Sequence, residues 1–134
     1  MRTALLLISM VALADSSADV LNVFSAAADS LTNDDSAAFL DHFDRNMPDY
    51  AAFRGNIEGL LAAYEVGSTI EVVTDEGTDE KRTVSLDWLL VTSEKNAVNG
   101  NQQTRRRIVK CTLERRGKQW RITTLTPINF FQNK

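Results

Sequence analysis

The chain predicts an α+β fold: three N-terminal helices packed on one face of a curved, twisted antiparallel sheet of about four strands, a cone-like half barrel. Three observations carry that prediction. Apolar residues recur at steps of three and four as far as Tyr64, and at steps of two from Ser68 onward. Charge divides near the same place: residues 15–80 hold 15 acidic side chains against two basic ones, and residues 81–134 hold 12 basic against three acidic. The links between the apolar runs of the second half are short, which pairs consecutive strands antiparallel. An acidic helical layer over a basic sheet follows.

Residues 1–14 read as an export signal. Arg2 supplies positive charge, Ala4 to Leu13 form a short apolar core, and Ala12-Leu13-Ala14 is a small-x-small cleavage site. About ten apolar residues are too few to span a bilayer, which takes roughly 20. Removal leaves residues 15–134 as one domain, exported to the periplasm or beyond and held by no membrane segment. No Cys follows the cleavage site to carry a lipid. The single Cys, Cys111, permits no internal disulfide, and the single His, His42, excludes the usual clustered zinc sites. No motif asks for a metal or a cofactor.

The first helix is marked by Val20, Val23, Phe24, Ala27 and Leu31 over residues 17–31. Thr32-Asn33-Asp34-Asp35 breaks it and offers N-caps to a short second helix carrying Phe39, Leu40 and Phe43. Pro48 suits a helix start, and Tyr50, Phe53, Ile57, Leu60, Leu61 and Tyr64 follow with helical spacing. Gly67 is the expected stop. Gly55 and Gly59 inside this helix suggest the close approach of another backbone. Strands follow at 69–74, 83–93, 104–115 and 119–130, linked by 75–81, by an Asn- and Gln-rich stretch at 94–103, and by a tight turn.

A turn centred on Arg116-Gly117 sets Leu113 opposite Trp120, Cys111 opposite Ile122 and Val109 opposite Thr124. Val84, Leu86, Trp88 and Leu90 then share that face, which the helices cover. The opposite face gathers Leu89, Val91, Ile108 and Leu125. Helices cannot cover both faces, and an exposed apolar patch commonly marks protein contact, so a homodimer through the outer sheet face is predicted.

Three helices, a long antiparallel sheet, the strand Gly117-Lys118-Gln119-Trp120-Arg121-Ile122 and the ending Pro127-Ile128-Asn129-Phe130-Phe131 resemble the nuclear transport factor 2-like superfamily, in particular its small exported bacterial members of unassigned function. The resemblance covers residues 16–132. It implies a curved sheet wrapped by helices, with a pocket between the layers and frequent pairing through the sheet. Some members are steroid isomerases, dehydratases, epoxide hydrolases or polyketide cyclases, and others only bind partners. The superfamily normally places a strand or hairpin between its second and third helices. Here Arg45-Asn46-Met47 alone fills that place, which predicts a shortened pocket mouth. None of the known acid–base sets of the superfamily matches positions here.

His42, Asp44 and Asp87 are the candidate proton-transfer groups. His42 is the one side chain that ordinarily titrates near neutrality, though Phe39, Leu40 and Phe43 take the core positions around it, which reads more plainly as a surface histidine. Asp87 falls on the face opposite Leu86 and Trp88, where an arginine partner is the plainer reading. For ligand binding, Tyr50, Tyr64 and Trp88 can line a pocket, and Arg105 and Arg107, on the face of Val109, can hold an anion at its mouth. Core packing and ion pairing with the helical acids are the plainer roles. The basic groups at the two ends of the third strand lie about 30 Å apart and the total charge is −3, which argues against nucleic acid. The sequence thus favours an exported, non-enzymatic domain that binds a small apolar or anionic ligand, or a protein. An isomerase, dehydratase or cyclase acting on an apolar substrate is the alternative.

Overall fold

The computed structural model describes residues 2–96 and 101–132, with side chains from Ser16 onward. Helix α1 runs through Arg2–Thr32, well beyond the start predicted at residue 17, because neither Gly nor Pro interrupts that stretch. The side chains of the predicted leader lie outside the described residues, as does the centre of the predicted 94–103 connection. Val20, Phe24, Ala27 and Leu31 form the buried stripe of α1. Asp35 caps α2 (Ser36–Leu40) by accepting the Ala38 N–H at 3.0 Å. Helix α3 (Tyr50–Ala63) follows Asp49, whose φ is +60°, and buries Phe53, Ile57, Leu60 and Leu61.

Four antiparallel strands follow in the order β1-β2-β3-β4: β1 (Tyr64–Gly77), β2 (Lys81–Glu94), β3 (Gln103–Arg116) and β4 (Gln119–Thr126). The expected α3 stop at Gly67 is corrected. The chain turns extended already at Tyr64, and Gly67 sits within β1 opposite Val91. Tyr64 is the last aromatic of the helical pattern, and both periods can use it. Gly55 has open space where a side chain would stand, so no backbone approaches it.

The helix-facing side of the sheet is as the alternation predicts. Leu86, Trp88, Leu90, Val109, Leu113 and Ile122 are fully buried against the helices. The β3–β4 register is not. The two-residue turn is Gly117-Lys118, with Arg116 opposite Gln119, so Leu113 meets Ile122 and Arg115 meets Trp120. A bulge at Thr123 then carries Cys111 opposite Leu125. Leu125 therefore turns inward, 3% exposed, and drops out of the predicted outer patch. Leu89 and Val91 are half-buried on that outer face, and Ile108 is 48% exposed.

Strand β4 ends at Thr126 rather than 130, because Pro127 has no N–H to offer the ladder. Residues Ile128–Phe131 form a short 3₁₀ turn that tucks Phe130 and Phe131 under the sheet. Their rings join Phe39, Phe53 and Trp88, with centroid separations of 5.0 Å for Phe130–Phe131, 5.1 Å for Trp88–Phe131 and 5.5 Å for Phe53–Phe131. The Trp88 indole N–H donates to Ser68 Oγ at 2.9 Å. Aromatic rings thus fill the space between α2, α3 and the centre of the sheet, where the resemblance implies a pocket.

Candidate functional site

Open space lies instead at one end, where α2 and α3 meet the β3–β4 hairpin. The segment after α2 is drawn onto β4 by backbone bonds: Ile122 N–H donates to the His42 carbonyl at 2.9 Å, and Asp44 N–H donates to the Ile122 carbonyl at 2.8 Å. Phe43 and Ile122 thereby form an isolated parallel bridge. Short as it is, the link between the second and third helices still reaches the sheet, and it carries Asp44 to the hairpin.

A cleft of about 760 Å³ opens there. Leu40, Phe43 and Tyr50 give it apolar surface, with Arg45, Arg54, Arg116 and Arg121 set among Asp41, Asp44 and Glu58. The acids are largely engaged. Asp44 Oδ1 accepts the Asn46 N–H at 2.9 Å, and its Oδ2 pairs with Arg116 Nη2 at 2.6 Å. Glu58 meets Arg54 at 3.4 Å along α3. Arg121 donates to the Asp41 carbonyl and, at 3.3 Å, to Gln119 Oε1, with the Asp41 carboxylate 3.9 Å away. Arg45 has no ion-pair partner among the described residues.

The Asn46 backbone N–H, then Arg116, holds the Asp44 carboxyl below its ordinary 3.8. A group so stabilised as an anion is a poor proton acceptor at neutral pH. Asp87 lies on the outer sheet face and accepts two bonds from Arg106, at 2.9 and 2.6 Å, which lower its pKa in the same way. His42 lies half-buried in a smaller adjoining pocket, its pKa lowered by burial against the opposing pull of Asp41. Burial pushes the Cys111 thiol far up, so it is no nucleophile. The three predicted proton-transfer candidates thus occupy three places and do not converge.

Of the predicted ligand contacts, Tyr50 lines the cleft. Tyr64 is half-buried at the start of β1, opposite Glu94, and Trp88 is wholly buried in the core. Arg105 donates to the Phe130 and Gln132 carbonyls, fastening the C-terminal turn, while Arg107 is exposed on the same strand. Arg116 and Arg121, which shape the cleft, are hairpin cations that the sequence offers only as a turn residue and as part of the fourth-strand motif. Among the described residues no group of His, Cys, Asp and Glu is arranged to hold a metal, and no helix is long and apolar enough to cross a membrane.

No family model matches the chain, and no curated protein is similar to it in sequence. Solved structures are similar in fold. A candidate scytalone dehydratase from Novosphingobium aromaticivorans superposes with a TM-score of 0.75 at 9% identity, over 87% of this chain and 85% of that one. A hexachlorocyclohexane dehydrochlorinase gives 0.69 at 11% identity, over 87% and 86%. A candidate dehydratase of the nuclear transport factor 2-like family from Streptomyces avermitilis gives 0.68 at 9% identity, over 84% and 94%. The chain has the nuclear transport factor 2-like fold.

Proposed function

We propose that this chain is an exported, non-enzymatic binding domain that takes a small apolar or anionic ligand in the cleft between α2, α3 and the β3–β4 hairpin, and that it pairs with a second copy through the outer sheet face. One observation carries the binding role. The cleft sets Leu40, Phe43 and Tyr50 beside four guanidinium groups, and the Asp44 carboxylate that lines it is held as an anion by Asn46 and Arg116. Such a frame recognises an acidic head on an apolar body and offers no group poised to move a proton. Its volume falls within the roughly 300–1,000 Å³ common to small-molecule sites. Arg45, which has no ion-pair partner among the described residues, is a cation available to the ligand.

Amide NMR of the mature chain titrated with benzoate and decanoate tests this. Shifts gathered at residues 37–50 and 116–122, and weakened by Arg45→Gln, are expected. Shifts scattered without relation to the cleft would sink the binding role. Turnover of an apolar carbonyl compound, lost in Asp44→Asn, would install the enzyme reading in its place.

A further inference from the structure

On the far side of Asp41 and Arg121 lies a second pocket, of about 370 Å³, between α1 and the same hairpin. Trp120 lines it and is 5% exposed, and its buried Nε1 has no hydrogen-bond partner among the described residues. An indole N–H can only donate, so a buried one costs free energy unless an acceptor meets it. The other core tryptophan shows the contrast, for the Trp88 N–H is met by Ser68 Oγ.

The pocket's charges fall into two sets. Asp19 and Asp41 come from the helical side, and Lys118 and Arg121 from the hairpin. Asp19 and Lys118 have no partner among the described residues. His42 stays neutral near pH 7 because burial lowers its pKa. Two cations then face two anions, and the pocket as a whole is electrically balanced. An anion alone would meet Asp19 and Asp41, and a cation alone would meet Lys118 and Arg121. A molecule carrying both charges, with an acceptor for Trp120, suits every group.

We propose that this pocket is a second binding site, specific for a compact zwitterion of the α-amino acid type, whose carboxylate meets Lys118, Arg121 and the Trp120 N–H while its ammonium meets Asp19. It is a different site from the cleft proposed above, so either can fail without the other. Three probes of similar size separate the cases: L-phenylalanine, phenylacetate and phenethylamine, each titrated against the full mature chain while the two indole N–H resonances are followed. The zwitterion is expected to move the Trp120 indole resonance downfield and leave that of Trp88 in place. Each singly charged probe should bind about tenfold more weakly or worse, the scale of one lost charge-assisted contact. Asp19→Asn and Lys118→Gln, changes at solvent-accessible positions, should each weaken the zwitterion by a similar factor. A Trp120 resonance indifferent to all three probes would overturn the site. Equal binding of the zwitterion and phenylacetate, or affinity unchanged in both variants, would overturn its specificity.

Discussion

Asp44 shows how much one side chain can depend on residues far away in the chain. Its two donors differ in kind: the Asn46 N–H is local, whereas Arg116 arrives only because the bridge between Phe43 and Ile122 brings the hairpin alongside. Asp44→Asn should cost about 1–2 kcal/mol, the range of a charge-assisted bond discounted for the half-exposed Arg116. The sign with pH follows from the lowered pKa. This stability is present above the unfolded value of 3.8 and is lost as pH falls through the folded one. Urea midpoints of the two proteins should therefore differ at neutral pH and converge in acid. His42 obeys the same sign at a higher pH. Its imidazole is held neutral, so folding is favoured above 6.5 and loses that share as pH falls below it. His42→Gln should flatten the stability slope between about pH 7 and pH 5, where the free imidazole takes up its proton. A slope unchanged by the substitution would show that His42 is solvated in the fold. The sequence singles out Asp44, Tyr50 and His42 as side chains with chemical potential. It does not single out Arg116 or Arg121 for a site, since helical and strand periods carry no information on which strand end meets which interhelical link. Arg105 is a related case. Its position on β3 fits a pocket mouth, but the chain's own C-terminal carbonyls reach it first.

The elements were legible wherever one face alone is buried. The stripe of α1 and the alternation of β2 are plain, because their buried residues recur at steps of three and four and at steps of two. The hairpin between β3 and β4 was less so. Arg116-Gly117 and Gly117-Lys118 are both acceptable two-residue turns by composition, and a bulge leaves no mark that alternation can read. The shifted turn moves the pairing by two residues and keeps every side chain on its face, so it is the bulge at Thr123 that brings Leu125 into the core. Backbone demands at the two hairpin glycines can be separated by experiment. Gly77 has φ +138°, and a Cβ there would lie 2.2 Å from the Lys81 carbonyl oxygen and 2.9 Å from Arg82 Cα. Gly117 has φ +66° with nothing within 4 Å. Gly117→Ala should therefore cost only the left-handed backbone penalty, about 1–2 kcal/mol. Gly77→Ala must also move backbone, and should exceed that while disturbing amide resonances through β1 and β2. Equal losses in urea unfolding would show that the β1–β2 turn yields freely.

For the molecule as a whole, the division of charge sets the layers but ties them at few points. Lys95 with Asp34 at 2.8 Å and Arg116 with Asp44 at 2.6 Å join basic sheet to acidic helical layer, whereas Arg82–Asp75 and Arg106–Asp87 lie within the sheet. What holds the layers together is the apolar core, and among the described residues no element covers the outer face of the sheet. With Leu125 turned inward, that face offers Leu89, Val91 and Ile108 beside the Arg106–Asp87 pair. A stable protein contact removes about 1,200–2,000 Å² of total surface, so three aliphatic side chains do not suffice by themselves. The pair of copies we propose must also bring together Thr69 and Thr104, which lie opposite Leu89 and Val91, and the ion pair beside them. A twofold axis near Ile108 does this economically, because each copy then presents the same patch to the other. Ile108→Asp tests the arrangement with little risk to the fold, since the side chain is 48% exposed and makes no part of the core. Sedimentation of the natural chain should give a dimer that the variant converts to a monomer, with the far-ultraviolet dichroism of the subunit unchanged. A natural chain that sediments as a monomer at micromolar concentration, or a variant that remains paired, would remove the outer face as the contact and leave Leu89, Val91 and Ile108 as ordinary surface.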